Sequence, residues 1–362
     1  MRILHVVEST GGGVLSVVIQ MCEILVDEGH EVYVIFSRRP ETPQNLEKLF
    51  HPQVHLMEMK MVRNISPFKD FISLMKLFQK FSRIKPEIVH LHSSKAGFLG
   101  RVASFFYNLL RKKKMRVFYS PHSFSFFMQH SKINNRIFVL LEKFANACGG
   151  IIIACSNTEA QAAKNVLKAR KVRLLENATS VPDLKKPENG GTVIVATLGR
   201  ITDQKNPLMF LELAASFQMY DNLLFKWIGG GNTEYIKLFK DHSNVELTGW
   251  LDRNDAIKEL AIADVYVQLS KYEGMPIAVI EAMQLGKPVI VTNVPGNKDV
   301  VKHGVTGFII NNRTELEHRL KEILSDHKLR KTMGLAAQKE AKTRFGMSRF
   351  RRELLQLYNE SI

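Results

Sequence analysis

Short apolar runs alternate with amphipathic segments in two successive series, and this pattern restricts the fold more than any other feature of the chain. In the first series the runs occur at residues 2–7, 31–36, 87–92, 115–120 and 150–155. In the second they occur at residues 192–199, 223–231, 244–249, 264–270, 288–293 and 307–310. Strands that alternate with helices indicate a parallel sheet covered on both faces. The sequence therefore predicts an α/β chain with two Rossmann-like domains.

A break in the pattern separates the two series. Residues 177–191 are rich in Asn, Pro, Gly and charge, which is typical of a linker. We therefore predict an N-terminal domain over residues 1–180 and a C-terminal domain over residues 181–345. The last segment, 346–362, is helical in pattern and is expected to pack back on the first domain. A chain of 362 residues suits two domains of this size.

Positive charge is concentrated in the first half of the chain. Residues 1–180 contain 26 Lys and Arg against 13 Asp and Glu, whereas residues 181–362 contain 25 against 22. This asymmetry indicates an anionic partner: nucleic acid, an acidic membrane surface or a phosphorylated acceptor. No nucleic-acid-binding motif accompanies the charge, so nucleic acid is not predicted as a partner. Neither a secretory pattern nor an uninterrupted apolar run of membrane-spanning length occurs, which predicts a cytoplasmic location.

Two segments of the first half combine aromatic with basic residues. They are "FKDFISLMKLFQKF" (68–81) and "GFLGRVASFFYNLLRKKKMR" (97–116). A basic amphipathic helix of this composition can lie on an acidic membrane surface. The same pattern also fits a helix whose apolar face packs into a core and whose charged face is solvated. Both interpretations are open at the level of sequence.

Three glycines, Gly11, Gly12 and Gly13, follow the first strand, where α/β folds bind ligands. Glycine allows close approach of the backbone, and the first amides of the next helix attract phosphate. The spacing is not G-x-G-x-x-G and no acidic residue ends the second strand, so the dinucleotide fingerprint is absent. A ligand-binding loop and a plain tight turn are both consistent with the pattern.

The second domain begins with a segment that contains two cations. In "LGRITDQKNPLMF" (198–210), Arg200 and Lys205 lie between the end of a strand and the start of a helix. Two fixed cations there suit a diphosphate, although a solvated loop has the same composition. A second glycine cluster in "WIGGGN" (227–232) also ends a strand. These positions predict a nucleotide bound at the carboxyl edge of the second sheet.

Two carboxylates flank the predicted start of a helix in "SKYEGMPIAVIEAM" (270–283). Glu273 precedes the helix, Pro276 is in its first turn and Glu281 lies further inside it. The first amides of a helix lack internal partners and can bind phosphate oxygens, and ionised carboxylates accept hydrogen bonds from hydroxyl groups. No basic neighbour in the sequence pairs with Glu273. The pattern predicts a nucleotide-sugar between the two carboxylates, with pairing of Glu281 to a distant basic residue as the alternative.

Several of these segments, in their order along the chain, resemble glycosyltransferase family 4. "SKYEGMPIAVIEAMQLGKPVIVT" is similar to its E-x7-E region and "GRITDQKNP" to its phosphate-binding segment. "STGGG", "SPHS", "ACSN" and "NVELTGW" also occur where that family has motifs. The resemblance implies a GT-B fold, with two Rossmann-like domains facing each other across a cleft and a C-terminal helix crossing back to the first. It also implies metal-independent transfer of a sugar, without a cofactor, that retains the anomeric configuration.

The resemblance also assigns roles to residues of this chain. It makes Arg200, Lys205, Glu273 and His122 catalytic, with the first two holding the diphosphate and Glu273 and His122 near the transferred sugar. Glu281 is expected to bind the ribose. The remaining residues implied in donor binding are Gly12, Gly13, Gly199, Gly230, Gly274, Met275, Pro276, Ile277 and Ala278.

The segments "HLHSSKAGFLGR" and "SPHSFSFF" are similar to members of the family that build bacterial O-antigen and capsule. This similarity implies a polyprenyl-diphosphate-linked saccharide as acceptor and a peripheral location on the inner face of the cytoplasmic membrane. A UDP-sugar is the predicted donor, with a GDP-sugar as alternative. The residues beside His122 that fit an anionic lipid-linked acceptor are Phe124, Phe126, Phe127 and Met128. The rival functions are a nucleotide-sugar epimerase of GT-B architecture and a non-enzymatic basic protein that binds a membrane or nucleic acid.

Overall fold

The chain divides into two compact units in the computed structural model. The structure describes residues 1–8, 10–40, 42–62, 64–128, 131–184 and 191–360. The first unit consists of Met1–Glu176 with Phe350–Ile362, and the second of Asn177–Arg349. Part of the predicted linker, residues 185–190, lies outside the described residues.

A parallel sheet forms the centre of the first unit, and its described strands follow the order β3-β2-β1-β4-β5-β6-β7. Their bounds are β1 Arg2–Val7, β2 Glu31–Phe36, β3 His55–Glu58, β4 Ile88–His92, β5 Arg116–Ser120, β6 Ile151–Ala154 and β7 Val172–Leu174. The sequence pattern missed β3 and β7, because these short strands at the sheet's edges are more exposed and lack a continuous apolar run.

Six helices belong wholly or largely to this unit, as far as the structure describes it. They are α1 Gly12–Asp27, α2 Pro67–Ile84, α3 Ser94–Leu109, α4 Lys132–Ala147, α5 Asn157–Asn165 and, at the end of the chain, α13 Met347–Asn359. Helix α1 begins at Gly12, so Gly12 and Gly13 lie in its first turn. Helix α13 places Tyr358 against His90 of β4, with 2.6 Å between the phenol oxygen and Nδ1. The expectation that the C-terminal helix packs on the first domain is thereby confirmed.

The two faces of the first sheet are chemically different, because side chains alternate along each strand. On one face Leu4, Val89, Leu91 and Tyr119 join an apolar core with residues of α2 and α3 such as Leu77. The opposite face carries a row of histidines and the side chain of Tyr358.

A buried ion pair joins α3 to α4. Arg101 is 1% exposed, and its Nη2 lies 2.5 Å from Glu142 Oε2. The Tyr119 hydroxyl donates to the other carboxylate oxygen at 2.7 Å, and the guanidinium lies 4.1 Å from the centre of the Tyr119 ring. The cluster attaches α4 to the unit together with the buried Ala145 and the partly buried Val139.

Replacing Glu142 by Ala is expected to lower the free energy of unfolding of the first unit by about 3–5 kcal/mol, because Arg101 then stays buried without its partner. Both tryptophans, Trp227 and Trp250, lie in the second unit, so hydrogen exchange of the β5 amides is the suitable measurement. Glu23→Ala on the exposed side of α1 is the control and should change stability by about 0.5 kcal/mol or less. A similarly small effect of Glu142→Ala would show that the pair does not hold α4.

A second parallel sheet forms the centre of the other unit, with its described strands in the order β10-β9-β8-β11-β12-β13. Their bounds are β8 Val193–Leu198, β9 Leu223–Ile228, β10 Val245–Leu247, β11 Val265–Gln268, β12 Val289–Thr292 and β13 Gly307–Ile310. The helices are α6 Pro207–Ser216, α7 Thr233–Phe239, α8 Arg253–Ala261, α9 Ile277–Gln284, α10 Asn297–Val300, α11 Arg313–Ser325 and α12 His327–Arg344. The two parallel α/β sheets confirm the predicted fold class.

Each sheet changes the direction of its strand order at one place, between β1 and β4 and between β8 and β11. In open α/β sheets, ligands bind beyond the carboxyl ends of the strands at such a switch point. The loops after β8 and β11 contain Arg200, Lys205 and Glu273, and the glycines after β1 lie at the equivalent place in the first unit. Among the described residues, no helix is both long enough and apolar enough to cross a bilayer.

Candidate active site

Lys205 and Glu273 form an ion pair at the carboxyl edge of the second sheet. Their Nζ and Oε1 atoms are 2.7 Å apart, and the Glu273 side chain is only 10% exposed. Lys205 ends a short 3-10 turn after β8, and Glu273 lies in the loop after β11. The basic partner of Glu273 is therefore not a neighbour in the sequence. The two residues are 68 positions apart, and they meet because β8 and β11 are neighbours in the sheet.

A buried chain of polar groups orients the Glu273 carboxylate. Gln268 Nε2 donates to Glu273 Oε1 at 3.0 Å, and the Tyr266 hydroxyl donates to Gln268 Oε1 at 2.6 Å. Within the part of the chain that the structure describes, the contacts of this carboxylate with Lys205 and Gln268 both involve Oε1. These contacts leave the lone pairs of the other oxygen, Oε2, to accept further hydrogen bonds. Buried hydrogen bonds of this kind hold a carboxylate in one orientation before a ligand arrives.

Gly199 makes room for the Lys205 side chain. Its φ of +152° is unusual for any other residue, and a Cβ atom there would lie 3.1 Å from Lys205 Cε. The Gly199 carbonyl accepts a hydrogen bond of 2.9 Å from the indole of Trp227, which fixes the end of β8. Arg200 follows directly and is half-buried. The structure thus places both predicted cations at one edge of the sheet.

Helix α9 begins at Ile277, with Pro276 as its N-terminal cap, and proline has no side-chain acceptor for the first amides. Helix geometry leaves the amides of the first turn without internal partners. The preceding loop contains Gly274 and Met275, and the Met275 carbonyl accepts a hydrogen bond of 3.1 Å from Asn177 Nδ2. The predicted phosphate-binding segment, residues 274–278, is therefore a helix start next to the Lys205–Glu273 pair.

Glu281 is buried within α9, and its carboxylate is bonded to Arg253, the first residue of α8. Thr179 Oγ1 donates to the same carboxylate oxygen at 3.4 Å and lies 3.0 Å from Arg253 Nη2. The alternative in which Glu281 pairs with a distant basic residue is thus the arrangement that the structure shows. Sequence reasoning missed Arg253, because nothing within α8 indicates a contact 28 residues away. The ribose-binding role of Glu281 stays a prediction.

Burial raises the pKa of Glu281 above its ordinary value of 4.5, and the half-exposed Arg253 offsets only part of this effect. The folded unit therefore binds the proton more tightly than the unfolded chain does. Stability that is present below pH 4.5 is lost as the pH rises through the raised pKa of the folded unit.

Replacing Glu281 by Gln is expected to leave the melting temperature of the second unit at neutral pH unchanged or higher, because the cost of burying a charge is removed. The fall in stability with rising pH should become shallower. Tryptophan fluorescence is a suitable probe, since Trp227 and Trp250 are both in this unit. A melting temperature at neutral pH that is clearly lower in Glu281→Gln would show that the bond to Arg253 outweighs the burial cost.

Gly230 lies against an exposed aromatic ring. A Cβ atom at this position would be 2.7 Å from the indole of Trp250, which is 65% exposed. The loop after β9 and the loop after β10 therefore pack together at the carboxyl edge, as the parallel pairing of these strands requires. A larger residue at Gly230 would displace the tryptophan from this edge.

In the first unit, His122 lies in a strained turn directly after β5. His122 and Ser123 have positive φ values of 54° and 93°, which residues other than glycine seldom adopt. The buried carboxylate of Glu159 accepts hydrogen bonds of 2.8 Å from the amides of Ser123 and Cys155 and so holds this turn. Burial lowers the pKa of His122 to about 4, so its imidazole is neutral at physiological pH. Neither Glu159 nor the strain was evident from the sequence.

One sequence-based interpretation in this unit needs revision, whereas the donor-binding role of Gly12 and Gly13 stays a prediction. Phe124 is fully buried and therefore does not face an acceptor, whereas Phe126 and Phe127 are partly buried and pack against the same core. Gly12 and Gly13 are exposed in the first turn of α1, where their amides are accessible.

Comparison with known proteins agrees with this arrangement. The family model "Glycosyltransferase Family 4" matches residues 11–181, and "Glycosyl transferases group 1" matches residues 183–340. An Escherichia coli UDP-Gal:alpha-D-GlcNAc-diphosphoundecaprenol alpha-1,3-galactosyltransferase is 30% identical over 322 residues, which cover 82% of this chain and 80% of that enzyme. The chain is a member of glycosyltransferase family 4. It is a glycosyltransferase, as the resemblance implied.

Other relatives of this family 4 glycosyltransferase extend over nearly the whole chain. The capsular polysaccharide biosynthesis glycosyltransferase CapM of Staphylococcus aureus is 26% identical over 373 residues, covering 93% of this chain and 92% of CapM. The crystal structure of HepE from Anabaena with UDP-glucose is similar in fold, with a TM-score of 0.78, 19% identity and 99% coverage of both chains. The GT-B fold is thereby confirmed, whereas the roles predicted for individual residues stay predictions.

Proposed function

We propose that this glycosyltransferase transfers a sugar from a UDP-sugar to a polyprenyl-diphosphate-linked saccharide during synthesis of a bacterial surface polysaccharide, with retention of configuration. The observation that carries the proposal is the oriented Lys205–Glu273 pair next to the start of α9. The names of the relatives support the substrates: one E. coli relative uses UDP-Gal and a diphosphoundecaprenol acceptor, and CapM acts in capsule biosynthesis. HepE, which shares the fold, binds UDP-glucose.

The donor is assigned to the carboxyl edge of the second sheet. Arg200 and Lys205 hold the diphosphate together with the amides of residues 274–278, Glu273 accepts a hydrogen bond from a sugar hydroxyl through Oε2, and Glu281 binds the ribose. As the sugar leaves, negative charge builds on the diphosphate, and fixed cations and helix amides stabilise it. These groups can do the work of a metal ion, so the proposal includes neither metal nor cofactor.

The first unit supplies the remaining groups. The amides of Gly12 and Gly13 bind phosphate oxygens, and the neutral His122 donates to the transferred sugar. In this scheme the leaving phosphate takes the proton of the acceptor hydroxyl, so the enzyme needs no separate general base. His122 is half-buried at the carboxyl edge of the first sheet, where α/β folds bind ligands.

Exposed apolar side chains on the first unit support a lipid-linked acceptor. Helix α3 packs between α2 and α4, and all three helices expose large apolar side chains. We call this set the apolar face; it consists of Phe68, Phe71, Ile72, Met75, Phe105, Phe106, Leu109, Leu110, Ile133, Ile137, Leu140 and Phe144. Large exposed apolar surfaces on neighbouring helices commonly mark interaction sites. Helices α2 and α3 thus pack some apolar side chains into the core and expose others on the surface.

The charges around the apolar face are almost all positive. Lys69, Lys76, Lys132, Arg136 and Lys143 are exposed on α2 and α4, and the exposed cluster Arg111–Lys114 follows α3. The acidic residues of the three helices are Asp70 and Glu142, and they are bonded to Lys95 and Arg101. Lys113 lies 3.2 Å from Glu87, but cations are in excess around the apolar face. An apolar surface bordered by an excess of cations fits an anionic bilayer. We therefore assign the protein to the inner face of the cytoplasmic membrane as a peripheral protein.

The proposal is tested by incubating the full chain with UDP-hexoses or UDP-N-acetylhexosamines and a synthetic polyprenyl-diphosphate-linked monosaccharide, in the presence of a chelator. The expected result is an elongated lipid product whose new linkage has the anomeric configuration of the donor sugar. Turnover of the donor without acceptor, giving an epimeric nucleotide-sugar, would support the epimerase instead. Inversion of configuration, or strict dependence on added metal, would overturn the proposed mechanism.

A further inference from the structure

A row of buried histidines lies in the first sheet next to His122. His5 on β1 is in register with His90 on β4, and His92 is two residues further along the same face of β4. All three are completely buried. The proposed function uses only His122, so the other histidines have no assigned role.

His5, His92 and His122 are joined end to end by hydrogen bonds. His122 Nε2 lies 3.0 Å from His92 Nδ1, and His92 Nε2 lies 2.9 Å from His5 Nδ1. Successive ring planes differ by only 16° and 19°, and the ring centres are 5.3 and 5.2 Å apart. The rings therefore meet edge to edge, with each bond close to the planes of the rings that it joins. We call these three residues the histidine chain.

His90 is outside the histidine chain. Its two ring nitrogens are bonded to the Tyr358 hydroxyl at 2.6 Å and to Ser120 Oγ at 2.8 Å. It stacks face to face on His92, with ring centres 4.3 Å apart. His90 is therefore a natural control: it is as buried as His92 and lies on the same strand, but it is not bonded to His122.

The histidine nitrogens are close enough to suggest a metal site, but their directions do not favour one. Nitrogen atoms of His5, His90 and His92 lie within 4.8 Å of one another. A shared ion would require the ring planes to converge on one point. The faces of His90 and His92 instead lie against each other, and His92 directs both of its nitrogens along the histidine chain. The arrangement favours hydrogen bonding over metal binding.

Neutral rings in such a chain can adopt only two concerted states. Each neutral imidazole has one N–H, so each ring donates at one end and accepts at the other. In one state every proton is on Nδ1, and in the other every proton is on Nε2. Burial keeps the rings neutral, since it lowers the pKa of His5 to about 3 and that of His92 well below its ordinary value.

The two states differ in energy because of the inner end of the histidine chain, which is His5 Nε2. Within the described residues, no hydrogen-bond partner lies near the buried His5 Nε2. A proton on Nε2 would create a buried N–H without an acceptor, and such groups are rare in proteins. The state with all protons on Nδ1 avoids this cost.

We propose that His92 and His5 are positioning residues that hold His122 as the neutral tautomer protonated on Nδ1. His122 Nε2 then accepts from His92, and Nδ1–H is the donor that remains for a ligand. The effect on catalysis rests on the proposed function, because it requires that His122 contact the donor sugar. The tautomer itself does not depend on that role.

Nitrogen NMR of the full chain labelled with 15N-histidine tests the tautomer directly. We expect His122 to show a protonated Nδ1 and an unprotonated Nε2 in the wild type and in His90→Phe. In His92→Phe the hydrogen bond to Nε2 is lost, and His122 should become a mixture of tautomers. A protonated Nε2 in the wild type, or the same His122 signals in His92→Phe, would overturn the inference. His5→Phe provides a second variant in case His92→Phe fails to fold.

Kinetics of the double variant separate this inference from the proposed function. His92→Phe should lower kcat by about 10- to 100-fold, as removal of an orienting partner commonly does, with little change in KM for the donor. In a His122→Ala background the same substitution should have no further effect on kcat. A further loss in that background would overturn an action of His92 through His122. Full activity of His122→Ala would instead refute the role of His122 while the NMR result still decided the tautomer.

Discussion

Replacing Lys205 by Ala is expected to lower kcat by about 10²–10³-fold, the usual effect of removing one preorganised group that stabilises developing charge. The KM for the UDP-sugar should change far less, because the charge on the leaving diphosphate grows mainly in the transition state. The measurement is steady-state transfer to the lipid-linked acceptor at varied donor concentration. A large rise in KM at constant kcat would mean that Lys205 binds only the ground state.

Lys271 provides the matched control for this experiment. It lies in the loop after β11, and its Nζ is bonded to Asp203 at 2.6 Å. Lys271→Ala removes a lysine and an ion pair at the same edge of the sheet but leaves the Lys205–Glu273 pair intact, so kcat should stay close to that of the wild type. Equal losses of kcat in Lys205→Ala and Lys271→Ala would show that removing either lysine disturbs this edge of the sheet and that Lys205 has no specific role.

Replacing the four basic residues Arg111–Lys114 by Ala is expected to reduce binding to anionic vesicles by up to about 10³-fold. Each Lys or Arg near such a surface contributes about 1 kcal/mol, so four contribute about 4 kcal/mol. Sedimentation with phosphatidylglycerol vesicles at low salt measures the partition coefficient. The difference from wild type should shrink as salt is added, since these charges are exposed and screened.

Four exposed lysines of α12 give a control with the same change of net charge: Lys328, Lys331, Lys339 and Lys342. Their replacement by Ala should leave vesicle binding nearly unchanged if the surface of the first unit is specific. Replacing Phe68 and Phe71 by Ser should also weaken binding, because the rings are 76% and 63% exposed. Equal loss of binding in the α12 variant would show that only net charge matters and would contradict a defined membrane-binding surface.

Much of the fold follows from the sequence because buried parallel strands are nearly continuous apolar runs. Strands such as β1 and β11 satisfy this rule and were predicted close to their observed bounds. Strand β7 does not, because it pairs with only β6 at the edge of the sheet and two of its three residues are exposed. A strand could therefore be predicted from the sequence only where it is buried, because only burial requires a continuous apolar run.

The positions of the candidate site residues could be predicted from the sequence, whereas the side chains to which they are bonded could not. Strand ends and helix starts are local features, and they place Lys205, Glu273 and Glu281 at one edge of the second sheet. The partner of each carboxylate depends on which strands are neighbours, so Lys205 and Arg253 could be matched to Glu273 and Glu281 only in the folded unit. The same holds for the histidine chain, whose members come from three different strands or loops.

The amphipathic helices show a further limit of sequence reasoning. A helix that faces the core and a helix that faces a bilayer have the same periodic pattern, so α2 and α3 were ambiguous. Only the folded unit shows that Leu77 and Phe81 face inward while Phe68 and Phe71 remain exposed. The burial of individual side chains thus distinguishes packing against the core from binding to a bilayer, which composition and periodicity do not distinguish.

Calorimetric titration of UDP, GDP and ADP into the wild type and Glu281→Ala, in the presence of a chelator, tests the assignment of the donor site. We expect UDP to bind at one site without metal. We also expect Glu281→Ala to weaken this binding by about 1.5–3 kcal/mol, roughly 10- to 150-fold, through loss of hydrogen bonds to a charged group. Absence of binding by all three nucleotides, or equal affinity of the wild type and Glu281→Ala for UDP, would contradict the assignment of the donor site.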